Sequence, residues 1–522
     1  MGLSFALEVD APSDLAHDQQ RADALITVTA RSASGAVAAP EPPGAEVLIM
    51  DRSLSMSGHK LDEAKRAMCA AIDTLRDGTL LGIVAGHHEA DVIFPADGGL
   101  APVDAAARED AKLRVIGQFA EGGTAIGQWL ARAERLFASM TSSGAVRHAV
   151  LYTDGKDEHE TPEQLGEILS ACTDRFVCDA RGLGDDWHYA ELLRITEALH
   201  GTAEAVVTLS DLTEDFTRLM RKAQRIVVPR VYLGLRLNDR FQLAFVRQTR
   251  PVEAELTARQ RREEETHVPL GSWPPQTCQY QVSLSFDPHS LTVDENLRAA
   301  RITLHAEHPD GTRAPCSDTV SMAVRRRSTP AFGIPRSAQL TRVENERELG
   351  MAMRACADAH QRGDLDRADH ELRLATALAQ DLQDTVRLRL LRAVATTGPD
   401  GLPRVRRDVS GAEIQKIGVD STKTVAPPVG MGDMVDAGDV VDAGDVVGPV
   451  DVVDVVGPVD MANVVDVVGS GELPPGEAPL APRACPRCGT APATPTANFC
   501  EKCGFRFGTG TGARGGGPVD AS

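Results

Sequence analysis

No uncharged apolar run in the 522 residues approaches the ~18 to 20 that a bilayer-crossing helix needs, which excludes a membrane-spanning helix. A basic excess is missing too: 55 Lys plus Arg stand against 75 Asp plus Glu, a net charge of −20 at pH 7. Nothing therefore draws the chain as a whole to phosphate backbones or anionic lipid. The first 20 residues carry acids and no apolar core, and Ala6 stands where N-myristoylation wants a small hydroxyl residue, so a cytoplasmic, unsecreted protein is expected. Absent as well are G-x-x-x-x-G-K-[ST], H-E-x-x-H and G-x-S-x-G, and with them nucleotide-driven ATPases, zincin proteases and elbow-type serine hydrolases. The GTGTGARGGG tail follows no buried strand and reads as a flexible end, not a phosphate loop.

What is present divides into several units, since length alone predicts three or four at ~150 residues each. Residues 1–43 hold two alternating strands, LSFALEV and ALITVTAR, followed by a Pro/Gly-rich stretch; they are expected to complete a β-sandwich. Across 44–226, short apolar runs (VLIM, LLGIVAG, HAVLY, FVCDA, AVVTL) alternate with amphipathic helices, which predicts a doubly wound α/β domain around a parallel sheet. Residues 227–330 return to strand patterns with turn signals such as HPDGT and are expected as the rest of the sandwich. A helical hairpin is expected over 338–395, broken at Gly363-Asp364, with a β-hairpin over 396–423. The stretch 424–482 repeats Asp-Val-Val with Gly and Pro, contains 11 acidic residues and no Lys or Arg, and is expected as a disordered acidic linker. Its valines leave a β-aggregating reading open. A compact module at 483–508 and a tail at 509–522 complete the chain.

Three segments at strand-to-helix loops carry oxygen ligands. Asp51-Arg52-Ser53-Leu54-Ser55 ends the first buried strand, Gly122-Gly123-Thr124 opens a later helix, and Thr153-Asp154-Gly155 ends HAVLY. Ligands in open α/β sheets bind outside the carboxyl ends of the strands. Mg²⁺ or Mn²⁺ takes about six oxygens, commonly carboxylates and hydroxyls plus water. Singly, D-x-S-x-S also makes an ordinary cap and turn; three such segments on one edge favour a metal site.

These motifs, in the order DRSLS, GGT, TDG over residues 44–226, resemble the von Willebrand factor A domain. The resemblance implies a metal-ion-dependent adhesion site at Asp51, Ser53, Ser55, Thr124 and Asp154, which binds a partner protein through Mg²⁺ or Mn²⁺ completed by the partner's carboxylate. It implies a binding module and no catalysis. Leu54 stands where the family commonly has Gly, and a positive φ there would strain it. TDGKDEHETPEQL, FVCDARGLG and DSTKT are also similar to actinobacterial proteins joining this domain to a β-sandwich and a helical hairpin. Genes of that group accompany serine/threonine kinases, phosphatases and forkhead-associated proteins, which implies a phosphosignalling setting, with Thr422 and Thr424 as candidate phosphoacceptors in an exposed tail.

Of ten cysteines, six are scattered (Cys69, Cys172, Cys178, Cys278, Cys316, Cys356) and four stand as C-x-x-C-G knuckles at Cys485, Cys488, Cys500 and Cys503. Four thiolates in two tight turns close a tetrahedral shell, so a structural Zn²⁺ in a rubredoxin-like ribbon is expected. Arg483, Arg487, Lys502, Arg506 and Arg514 make this tail locally basic, yet the acidic linker beside it repels phosphate. His87, His88 and Glu89, and His159 between Glu158 and Glu160, read as solvated loop residues. Three functions remain: a metal-dependent scaffold, a nucleic-acid-associated regulator using the ribbon, and a metal-dependent hydrolase at Asp51 and Asp154 lacking a nameable base.

Overall fold

The computed structural model describes residues 3–32, 44–140, 144–308, 311–330, 337–399 and 401–424. Strand Gly44–Asp51 is buried along nearly its whole length, as the run AEVLIM requires of a strand covered on both faces. It lies inside a sheet ordered Ala203–Val206, Val177–Leu183, Val146–Thr153, Gly44–Asp51, Leu80–Gly86, Ala90–Phe94. Its neighbours pair in parallel as far as Leu80–Gly86, and Ala90–Phe94 closes that edge antiparallel. Alternate side chains serve two cores. Val47 and Ile49 pack with helices Ile126–Ala138, Pro162–Cys172 and Tyr189–Ala198. Leu48 and Met50 pack with His59–Thr74, Ala105–Ile116 and Leu212–Ala223.

Helix Ala105–Ile116 is absent from the sequence reading because it has no clean apolar stripe: Ala111 and Val115 are buried while Leu113 and Ile116 face solvent. At the amino ends of three neighbouring strands, His148 sits between two acids, its Nδ1 2.7 Å from Glu46 Oε2 and its Nε2 3.0 Å from Asp179 Oδ2. All three are buried.

Two further sheets enclose a separate core. One is ordered Leu3–Asp10, Arg21–Ser32, Gln276–Phe286, Phe241–Arg250, Ala254–Leu256. The other is ordered Gln260–Arg262, Glu265–Pro269, Val231–Leu237, Asn296–Glu307, Val320–Arg326, Asp14–Leu15. Ile26, Val28, Tyr280 and Val282 of the first meet Leu233, Leu235, Ile302 and Leu304 of the second around Trp273. Arg21–Ser32 runs antiparallel along Gln276–Phe286, so the α/β domain is inserted into this two-sheet unit.

Residues 338–395 hold three helices where two were expected: Ala338–Gln361, Leu365–Asp381 and Thr385–Ala393. The second break lies at Gln383, left-handed with φ 57°, followed by Asp384, whose side chain accepts from Arg387 N at 2.9 Å. The expected β-hairpin over 396–423 is confined to the short pair Ala395–Thr397 and Pro403–Val405. Helix Gly411–Asp420 follows, started by a reciprocal capping box between Ser410 and Glu413. These helices join the core under Tyr189–Ala198 through Leu349, Met353, Ile414 and Ile417. Tyr189 donates its hydroxyl to Asp358 Oδ1 at 2.5 Å, and its ring lies so close to Gly418 that a Cβ there would stand 2.4 Å away.

Thr422 and Thr424 are not an exposed tail. Thr422 is 2% exposed, its carbonyl accepts from Glu253 N at 2.7 Å, and Thr424 donates its hydroxyl to Thr249 O at 2.7 Å. The scattered cysteines are free thiols. Among the described residues no helix is long and apolar enough to cross a membrane. The expected linker beyond Thr424, the ribbon with Cys485, Cys488, Cys500 and Cys503, and the tail lie outside the described residues.

Candidate metal centre

Asp51 is the last residue of its strand, Thr153 the last of the neighbouring strand, so parallel pairing sets their side chains side by side at the carboxyl edge. Thr153 Oγ1 donates to Asp51 Oδ2 at 2.5 Å and Ser53 N donates to Asp51 Oδ1 at 2.8 Å. A 3₁₀ turn at Leu54–Met56 then brings Ser53 Oγ within 2.9 Å of Ser55 Oγ. Ser55 Oγ donates to Asp154 Oδ1 at 2.7 Å. Thr124 joins from the third segment: a Cβ on Gly155 would stand 3.1 Å from Thr124 Oγ1 and 3.6 Å from Ser55 Oγ. The structure thus brings all five residues expected from the sequence to one place.

Backbone hydrogen bonds lock the three segments together. Leu54 N donates to Gly122 O at 3.0 Å, and Thr124 O accepts from Glu158 N at 3.1 Å. Gly122 needs to be glycine, since its φ is +69° and a Cβ would fall 2.3 Å from His88 Nδ1. Leu54, by contrast, is not strained. It is absent from the residues with positive φ, sits in the 3₁₀ turn, and points outward at 62% exposure. The expected penalty for replacing glycine does not arise because the turn is right-handed here.

The fit to a hard cation rests on the donors. Asp51 and Asp154 are both fully buried, and three hydroxyls surround them, the oxygen-only set that Mg²⁺ or Mn²⁺ takes. Burial pushes the Asp51 carboxyl up to about 6; the bonds from Thr153 and Ser53 oppose this, and the Asp154 charge adds to it. Two buried acids close enough for one charge to disfavour the other call for positive charge. One source was missed in the sequence: Lys60, in helix His59–Thr74, donates from Nζ to Asp154 Oδ2 at 2.5 Å. A basic residue at the second position of the helix after D-x-S-x-S was the available signal.

Of the histidines read as solvated, His88 and His159 are exposed as expected, close to Gly122 and Gly123, whereas His87 is buried. His87 is 5% exposed, its Nδ1 3.0 Å from His88 Nδ1, and the His88 and His159 rings lie 6.0 Å apart. A Cβ on Gly123 would stand 2.1 Å from His159 Nε2, so this pair of glycines admits the imidazoles. Burial, then the Arg52 and His88 charges, hold the His87 imidazole down. Arg52, itself buried, ties the loop down by pairing with Asp91 at 2.7 Å and with Glu121. Glu160 accepts from Gly127 N at 2.5 Å at the start of the next helix. Burial and the neighbouring Asp157 push its carboxyl up to about 7.

A family model described as the von Willebrand factor type A domain matches residues 46–205. A solved von Willebrand factor type A protein from Catenulispora acidiphila is 30% identical, with a TM-score of 0.73, and the match covers 81% of this chain and 97% of that one. The likeness therefore reaches well beyond the α/β domain. The ArnB paralog VWA2 from Sulfolobus acidocaldarius is 12% identical with a TM-score of 0.48, covering 80% of this chain and 98% of that one. An uncharacterized protein of Synechocystis sp. is 26% identical over 209 residues, which are 40% of this chain and 48% of that protein, so the chain spans about half the length of this curated relative. On the identity and coverage of the Catenulispora protein and the match over residues 46–205, the chain belongs to the von Willebrand factor type A family.

Proposed function

We propose that this chain is a non-enzymatic scaffold that holds a protein partner through a divalent ion, Mg²⁺ or Mn²⁺, at Asp51, Ser53, Ser55, Thr124 and Asp154. The observation that carries the reading is the convergence of two fully buried carboxylates and three hydroxyls at the carboxyl edge of the parallel sheet. When bound, the ion supplies an open position for a carboxylate of the partner. The hydroxyls coordinate without neutralising it, which preserves its pull on an acidic group. Leu54 and Phe119, 62% and 64% exposed, offer apolar contact around such a group, and exposed large apolar side chains beside a polar site are the usual makings of an interface. The partner belongs to a cytoplasmic phosphosignalling assembly, and the Cys485, Cys488, Cys500, Cys503 module, folded on Zn²⁺, supplies a second contact through the acidic linker.

The test is capture from native lysate with the full chain as bait, in Mg²⁺, beside an Asp154→Ala bait. A partner held by the first and released by the second supports the reading. The same partners on both baits would overturn it. Phosphoester turnover lost with Asp154→Ala would replace it with the hydrolase reading.

A further inference from the structure

Gly234 stands in the middle of strand Val231–Leu237, between Glu265–Pro269 and Asn296–Glu307. A glycine inside a central strand costs stability and marks a close approach. Here a Cβ would lie 2.7 Å from His305 Nε2 and 2.9 Å from Glu265 Oε2. His267 is directly opposite Gly234 in the register. Leu233 and Leu235 enter the two-sheet core, so the glycine, His267, Glu265 and His305 share the outer face, far along the chain from every adhesion-site residue.

Distances within this group are those of a coordination shell. Glu265 Oε2 lies 3.2 Å from His267 Nε2 and 3.1 Å from His305 Nε2. Ligands at the ~2.0 to 2.1 Å Zn–N and Zn–O bond lengths stand ~3.3 Å apart around a tetrahedron. Among the described residues this is the one trio of His, Cys, Asp or Glu whose ligand atoms all fall within 4.8 Å of one another. His305 Nε2, though buried and close to the carboxylate, makes no hydrogen bond among the described residues, and neither does His267 Nδ1. His267 is 4% exposed, whereas the Glu265 side chain is 29% exposed, so an ion could be reached from solvent on one side. Arg313, whose guanidinium lies over the Tyr232 ring, shares the face; its charge opposes positive charge at the two histidines, so an ion held here calls for an anionic fourth ligand such as hydroxide.

We propose that Glu265, His267 and His305 form a zinc-type site, two imidazoles and one carboxylate with an open fourth position, seated in the gap that Gly234 leaves. Imidazole and carboxylate in a small tetrahedral set select a borderline transition ion over Mg²⁺. The site is independent of the adhesion-site reading.

The test is Co²⁺ titration of the full-length chain, followed by visible absorption. Tetrahedral nitrogen and oxygen ligation gives strong ligand-field bands without the near-ultraviolet sulfur charge transfer of a thiolate site, and a six-coordinate oxygen site absorbs only weakly. With the cysteine module already filled with Zn²⁺, the expected result is one such nitrogen and oxygen spectrum per chain, lost in both His305→Ala and Glu265→Gln. Glu265→Gln preserves volume at a partly exposed position and guards against misfolding of the histidine variant. No such spectrum in the wild type, or its survival in Glu265→Gln, overturns the proposal.

Discussion

Lys60 and Asp154 form an ion pair inside the candidate metal site: Nζ donates to Oδ2 at 2.5 Å while Asp154 Oδ1 accepts from Ser55. The ammonium engages an oxygen of the residue expected to serve a divalent ion, so lysine and metal compete for one carboxylate. Lys60→Met should therefore tighten Mg²⁺ or Mn²⁺ binding roughly tenfold, ~1.4 kcal/mol, and lower the melting temperature of the protein in EDTA, where Asp154 stays buried without its partner. Calorimetric titration of both proteins decides it; equal affinities would mean that the lysine swings clear at no cost.

Asp51 predicts the opposite balance. Its carboxyl has a folded pKa of about 6 against an ordinary 3.8, so ionisation is penalised in the folded state. Metal-free protein should lose stability as pH climbs from near 3.8 through about 6, to the extent of about 2 to 3 kcal/mol at one pKa unit per 1.36 kcal/mol. Asp51→Asn should lack that decline and melt higher than wild type at pH 7 in EDTA. It should also lose the stabilisation by Mg²⁺, about 2.7 kcal/mol when the ion is at 100 times its dissociation constant. Thermal denaturation with and without metal separates the two effects.

His148 links three strands from the opposite end of the sheet. Burial alone would push its imidazole down, but Glu46 and Asp179 hold it up at about 10. Because the folded value exceeds the ordinary 6.5, the contribution is complete below pH 6.5 and fades as pH rises through about 10. His148→Gln should cost about 3 to 5 kcal/mol near neutrality, since it leaves buried Glu46 without its cation and Asp179 with only the Lys222 and Arg181 charges. The deficit should shrink steadily toward pH 10 in urea denaturation. A pH-independent deficit would assign the loss to packing instead.

Thr422 and Thr424 should resist phosphorylation in the folded chain. Thr422 Oγ1 donates to Val419 O at 3.0 Å, and the segment is pinned to Val252 and Glu253. A kinase needs an extended, accessible segment, and local opening here must break those bonds. Mass spectrometry after kinase treatment should find both unmodified under native conditions. Stoichiometric phosphate on Thr422 would show that this segment opens readily.

The candidate metal site was legible because its chemistry is written in short contiguous motifs, DRSLS, GGT and TDG, and because the strand alternation of 44–226 places them at one edge. The contact of Lys60 with Asp154 and the approach of His88 and His159 to Gly122 and Gly123 were not, since each depends on the fold. Long apolar strands such as QYQVSLSF and RITLHAE were visible in outline, whereas the trio at Glu265, His267 and His305 depends on strand register. Helix Gly411–Asp420 had a readable capping box, Ser410-Gly-Ala-Glu413, that the turn residues before it obscured. The third helix is capped by Asp384 after a left-handed glutamine, a break without the glycine or proline that usually announces one.

Insertion of the α/β domain into the two-sheet unit has a consequence in time. Ala30 pairs with Gln276, 276 − 30 = 246 residues later in the chain. At ~5 to 20 residues per second of synthesis, strand Arg21–Ser32 waits on the order of 12 to 50 s before its partner leaves the ribosome. Throughout that interval the parallel pairings of the α/β domain, which all lie within 44–206, are free to form, while the part of its core filled by Leu349, Met353, Ile414 and Ile417 is still to be made. The strand edge that carries Asp51 and Asp154 can then take shape on the nascent chain before the platform that bears it exists.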